Sequence, residues 1–164
     1  MKGGGKLGYL SWEPNREILL SERVQPFHGL RVVDVSGSLA GAYAGKMLVD
    51  AGADVLMLEP EGGHPLRRWS ASGQDLGPDQ DGPLFQFLAA GKRSAVAGEL
   101  GLDDFAASAD LVLASEPLDF GALQAAQPGL CLVTVTPWGV SGPWAQRPAT
   151  EFTLQAASGS TAYR

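Results

Sequence analysis

Cysteine and histidine are nearly absent from these 164 residues: there is one Cys, Cys131, and two His, His28 and His64. A single cysteine leaves no disulfide within the chain. Two histidines so far apart carry no metal-ligand spacing, so no metal is expected. Cys131 stands inside an apolar run and reads as a small buried hydrophobe. Charge is sparse too, at 18% with a net of −6, and no basic run is longer than the pairs Arg67-Arg68 and Lys92-Arg93. That argues against nucleic acid as a partner. No apolar stretch has the length of a bilayer span, and the N-terminus lacks the apolar core of a secretory signal. No membrane association is expected, and the cytoplasm is the expected location.

What is present is a globular composition, 45% hydrophobic, with an excess of glycine, 22 residues, alongside 11 prolines. The excess points to tight strand-to-helix turns or to close approach of backbone to a ligand. Residues 1–28 read as a polar N-terminal extension, with one helical turn expected around Arg16 to Glu22. From residue 29 onward strand-like and helix-like runs alternate. "LRVVDV" is a short β-branched run of the kind buried on both faces. After the small-residue stretch "SGSLAGAY", Ala40, Ala44, Met47, Leu48 and Ala51 recur at helical spacing, and Gly52 supplies a stop. "ADVLMLEP" completes a βαβ unit.

The stretch 61–83 is a long Gly/Pro/Asp loop, which favours a functional or mobile segment. "LFQFLAA", stopped by Gly91, and "LDDFAASA" read as helices, with Asp103 and Asp104 in the first turn of the second. "KRSAVAGEL" and "DLVLAS" offer strands, "DFGALQAAQ" a helix and "GLCLVTVTP" the clearest strand. A final helix starts near Thr150, a candidate N-cap followed by Glu151. The alternation predicts an α/β, Rossmann-like fold with a mainly parallel sheet and flanking helices.

A nicotinamide-binding oxidoreductase is the natural first reading of such a unit, with Glu59 ending its second strand. The dinucleotide fingerprint needs G-x-G-x-x-G. Here Gly37, Gly41 and Gly45 are spaced by four, which does not fit. That function is the less favoured alternative.

Four stretches carry a resemblance instead. "GLRVVDVSGSLAGAYAGKMLVDAGADVLMLEPEGG", "GKRS", "SADLVLAS" and "PGLCLVTVTPWGVSGPWAQRPATEFTLQAASG" agree in order and spacing with the opening of the class III CoA-transferases, the family of formyl-CoA transferase, the carnitine CoA-transferases and α-methylacyl-CoA racemase. The resemblance runs from about His28 to the end of the chain and covers less than half of a typical family member. It implies a CoA-binding domain, coenzyme A or acyl-CoA as substrate with a carboxylate acceptor, a homo-oligomer whose two chains interlock, and a place in acyl-CoA metabolism.

The family's chemistry is attack of an Asp carboxylate on an acyl-CoA thioester. The resemblance puts that Asp beyond the helix that begins near Thr150, past Arg164. It therefore implies the N-terminal part of a transferase, inactive alone and with no catalytic residue to name here. A non-catalytic accessory or oligomerisation domain is the second reading. Under the CoA-binding reading the expected contacts are the turn Ser36, Gly37, Ser38, Leu39 and Ala40, whose small residues let backbone amides face a ligand, together with Lys92 and Arg93.

Three departures from the family pattern bear on function. Thr150 stands where racemases carry a His base, which argues against racemisation. Pro60 replaces a frequent Arg, and Ser115 falls where Asn is common near CoA; Arg67, Arg68 or Lys92 are the candidate replacements. Trp138 and Trp144 read as lining an acyl site, an interchain surface or the core.

Overall fold

The structure is a computed structural model, and it describes residues 25–77, 79–98 and 101–163. The helical turn expected around Arg16 to Glu22 lies outside the described residues. Among the described residues five strands are formed, β1 (Arg31–Asp34), β2 (Asp54–Glu59), β3 (Arg93–Val96), β4 (Leu111–Ala114) and β5 (Cys131–Thr134). Five helices accompany them, α1 (Leu39–Asp50), α2 (Pro83–Ala89), α3 (Leu102–Ala106), α4 (Phe120–Ala126) and α5 (Glu151–Ala157). Short 3-10 turns occupy Pro65–Arg68 and Ser160–Tyr163.

All four strand pairings are parallel, in the order β3-β2-β1-β4-β5. This is the doubly wound, Rossmann-like arrangement that the alternation of runs predicted.

Period-2 alternation assigns the two faces. Val33, Leu56, Leu58 and Val112 point to one side, where they pack with Phe105 and Ala106 of α3 and Leu123 of α4. Val32, Val55 and Leu113 point to the other, against Val49 of α1. β1, β2 and β4 are therefore almost entirely buried, as strands with packing on both faces are, and two of them end in a buried acid, Asp34 and Glu59.

The expected elements are present with shorter bounds, and two expectations need correction. Cys131 is exposed, not buried. It starts β5, an edge strand whose residues alternate between exposed and half-buried; apolar composition alone does not tell an edge strand from a central one. In α1 the buried residues are Gly41, Ala42, Gly45 and Val49, whereas Met47 and Ala40, which the apolar spacing had placed on the inner side, are exposed. The inner face is set by the smallest side chains, because the helix lies close upon the strand ends. Among the described residues no helix is long and apolar enough to cross a membrane.

The helix α5 has no buried residue, and Phe152 on it is 73% exposed. Leu113→Ala, deep in the sheet, is expected to cost about 2–5 kcal/mol by urea denaturation. Phe152→Ala is expected to stay within about 0.5 kcal/mol of the parent.

Candidate functional site

The sheet order reverses between β1 and β4, and ligands of open α/β sheets bind in the crevice at the carboxyl ends of such a strand pair. The chain leaves β1 through a turn, Ser36–Ala40, that enters α1. Ser38 is the N-cap: its Oγ accepts from the Gly41 amide (3.1 Å). Across the crevice its amide donates to Ser115 Oγ (3.3 Å), and the two hydroxyls lie 2.6 Å apart. The amides of Gly37, Leu39 and Ala40 find no acceptor among the described residues, and all three residues are exposed. Three backbone donors without an acceptor thus gather at the start of a 12-residue helix, an arrangement suited to an anion.

Beneath this turn lies a buried ion pair. Asp34 ends β1 with its side chain 1% exposed, and Lys92, also 1%, donates to its Oδ2 (2.9 Å) and to the Ala42 carbonyl (2.9 Å). The other oxygen of Asp34 accepts from the Ser36 amide (3.0 Å) and hydroxyl (2.5 Å). α1 crosses above this group through its glycines. A Cβ on Gly45 would stand 2.6 Å from both Asp34 Oδ2 and Lys92 Nζ, and one on Gly41 would stand 2.3 Å from Ser36 Cβ. The spacing by four that fails the dinucleotide fingerprint thus puts Gly41 and Gly45 one turn apart on a single helix face, where no side chain fits.

A second network braces the turn from β2. Glu59 accepts from Arg67 Nε (2.6 Å) and Nη2 (2.6 Å), from the His64 amide (2.8 Å) and from the Ser94 hydroxyl. Arg67 also donates to Asp81 (2.7 Å) and lies over the Phe85 ring. Burial of the Glu59 carboxyl opposes its ionisation, but the donors from Arg67, Ser94 and the His64 amide outweigh that cost and hold its pKa at about 2.

His64 is 4% exposed. The Leu66 amide donates to its Nδ1 (3.1 Å), so that nitrogen is the acceptor and Nε2 carries the proton, which it donates to the Ser36 carbonyl (2.9 Å). Burial pushes the pKa of this imidazole down, and Lys92 adds to the push; the Ser36 carbonyl and the carboxylates of Asp34 and Glu59 act the other way.

The structure brings together only part of the residue set that the sequence suggested. Ser36 to Ala40 form one open turn. Lys92 lies directly beneath it, with its ammonium enclosed by Asp34 and Ala42. Arg93 points to the opposite end of the sheet, where it grips Asp54 at the start of β2 through two bonds (2.8 and 2.9 Å). Of the candidate replacements for the missing Arg, Arg67 is engaged by Glu59 and Asp81, and exposed Arg68 donates to the Gly77 carbonyl (2.5 Å).

In the loop after β5, Trp138 and Trp144 meet edge to face at 5.5 Å, with Arg147 close to both rings. Thr150 caps α5, accepting from the Thr153 amide (3.2 Å), and Glu151 is exposed in its first turn. Sequence reasoning missed His64 and the structural part of Gly41 and Gly45. The i,i+4 spacing of the glycines was the available signal for the latter.

The family model for CoA-transferase family III matches residues 27–164. Succinate–glutarate CoA-transferase of Agrobacterium fabrum is 33% identical over 161 aligned positions, covering 85% of this chain and 39% of that protein. The alpha subunit of succinyl-CoA–L-malate CoA-transferase of Chloroflexus aurantiacus is 31% identical over 150, covering 82% and 34%. A crystal structure of a CAIB/BAIF family protein from Brucella suis superposes with a TM-score of 0.73 at 32% identity, covering 82% of this chain and 39% of its own. The chain thus spans about two-fifths of the length of these relatives, or less.

Two outcomes follow from the buried networks. Gly45→Ala, which drives a methyl into the Asp34–Lys92 pair, is expected to cost about 1–3 kcal/mol in thermal or urea unfolding. Glu59→Gln is expected to cost about 3 kcal/mol near neutral pH, because it leaves Arg67 without its main partner. The folded pKa of Glu59 lies below its unfolded value of 4.5, so its contribution is complete above that value and is lost as pH falls towards about 2. An acid titration of stability is therefore expected to be shallower in Glu59→Gln than in the parent across that window.

Proposed function

The chain belongs to CoA-transferase family III, and from that premise we propose that it is the N-terminal, CoA-binding part of an acyl-CoA:carboxylate CoA-transferase. The observation that carries this reading is the turn Ser36–Ala40, whose outward amides Gly37, Leu39 and Ala40 sit at the sheet's switch point. Amides so aimed suit the pyrophosphate of CoA, in concert with the α1 dipole. In this reading Ser38 and Ser115 close the crevice floor, and the Asp34–Lys92 pair fixes the turn. Binding the nucleotide holds the thioester near an attacking carboxylate and converts an encounter of two molecules into a local step. The relatives are more than twice as long as the matched segment, which supports placing the attacking carboxylate outside these residues. An interlocked homo-oligomer and a cytoplasmic location complete the proposal.

One observation favours a second reading, a non-catalytic domain of the same fold. Pro60 and Ser115 replace residues that the family uses near CoA, and two of the three candidate substitutes are committed elsewhere, Lys92 to Asp34 and Arg67 to Glu59 and Asp81.

Titration calorimetry with CoA separates the two readings. The CoA-binding reading expects saturable binding and a rise in unfolding temperature, since a ligand at a hundred times its Kd stabilises by about 2.7 kcal/mol. Leu39→Asp should leave stability intact, because an acid at a helix start is favourable, yet weaken CoA binding at least about tenfold by repelling the phosphates, roughly 1.4 kcal/mol. No CoA binding, or equal affinity in Leu39→Asp, sinks the assignment of this turn. The 164-residue chain by itself is expected to show no acyl transfer; measured CoA exchange by it would overturn that part.

A further inference from the structure

We propose that His64 is a positioning residue that holds the Ser36–Ala40 turn in its CoA-accepting shape, and does so only while its ring is neutral. The inference rests on the CoA-binding reading of that turn and assigns a residue and a pH response to it.

The geometry is a strut between two loops. His64 begins the 3-10 turn Pro65–Arg68, and its side chain spans to the loop after β1, where it holds the carbonyl of Ser36. Ser36 is tied on its amide and hydroxyl side to Asp34. The two peptide units that flank Ser36 are therefore both held, and the second of them carries the Gly37 amide, the first of the amides without a partner. The backbone of His64 is itself anchored, through its amide, to Glu59. The ring packs against Phe85 of α2, with centroids 5.4 Å apart.

Both ring nitrogens are used in one tautomer: Nδ1 must accept from Leu66 and Nε2 must donate to Ser36. A second proton has one place to go, Nδ1, and there two N–H groups would face each other across 3.1 Å. Charging the ring breaks the cap of the 3-10 turn and releases the strut. The charged groups around the ring are Asp34 of β1, Glu59 of β2 and Lys92 ahead of β3, with Arg67 on the turn itself. Both carboxylates already have cationic partners, Lys92 and Arg67. Burial and the Lys92 ammonium keep the ring neutral at physiological pH. Because the folded value lies below the unfolded 6.5, this contact contributes fully above that pH and is lost as pH falls below it.

The probe is 3′-dephospho-CoA, whose pyrophosphate keeps a constant charge between about pH 5 and pH 8. Its Kd for the 164-residue chain is measured by calorimetry across that range for the parent, His64→Gln and His64→Leu, with unfolding temperature as a control for folding. In the parent, affinity is expected to track the neutral fraction of His64, weakening about tenfold per pH unit below its folded pKa. His64→Gln keeps a donor for the Ser36 carbonyl and loses the titration, so its profile is expected to be flat with near-parental affinity at neutral pH. His64→Leu is expected to bind weakly at every pH while folded; if it fails to fold, the parent-against-Gln comparison decides alone. A parental profile that is flat, or a Gln profile with the parental slope, overturns the proposal and leaves the CoA reading standing. Absence of dephospho-CoA binding at neutral pH, with a folded chain, removes the CoA reading itself and this proposal with it.

Discussion

A carboxylate at the end of β1, with its side chain 1% exposed, is the constraint around which the rest of the site is arranged. A charge withdrawn from water must be met by an opposite charge and by hydrogen bonds, or it costs several kcal/mol. Asp34 meets that demand with Lys92 on one oxygen and with the amide and hydroxyl of Ser36 on the other. Each partner fixes something further. Lys92 is drawn beneath α1 and reaches the Ala42 carbonyl, so the helix has to pass close, and only glycine fits at 41 and 45. Ser36 is turned back on the strand, which sends Gly37 to Ala40 outward.

The result is a stiff polar layer that carries a small open turn. Asp34, Lys92, Glu59, Arg67 and His64 contribute no atom to the exposed surface of that turn, yet they set where its amides point. Preorganisation of this kind lowers the cost of binding an anion, because the donors are already oriented when it arrives. It also accounts for the division of labour among the basic residues. Lys92, Arg93 and Arg67 are each engaged by a carboxylate of the fold, and the positive field at the turn comes from backbone dipoles and the helix start.

Much of this fold was legible in the sequence, because strands buried on both faces are apolar through their middle and the helices need caps and stops at their ends. The runs "LRVVDV" and "ADVLMLEP", Gly91 with its positive φ of 85° and the Thr150 cap all carried local signals that no tertiary contact overrode. The site was legible only as far as the turn. Lys92 and Arg93 are adjacent in sequence, and nothing local says that one reaches Asp34 from beneath a helix while the other crosses to Asp54 at the far end of the sheet. His64 offered no signal, since its importance lies in a carbonyl 28 residues away. Cys131 was misjudged because an edge strand and a central strand share composition and differ only in what happens to lie beside them.

The strand order has a consequence for the birth of the chain. β1 lies at the centre of the sheet, but one of its two neighbours, β4, is encoded 79 residues later; the bond from the Arg31 amide to Asp110 marks that span. At a translation rate of 5–20 residues per second, those 79 residues take roughly 4 to 16 seconds to appear. During that interval the ribosome-bound chain can pair β1 only with β2, and one edge of this central strand stays open. An unpaired strand edge is a template for pairing with another chain, so this topology leaves β1 with an edge to shield until β4 has been made.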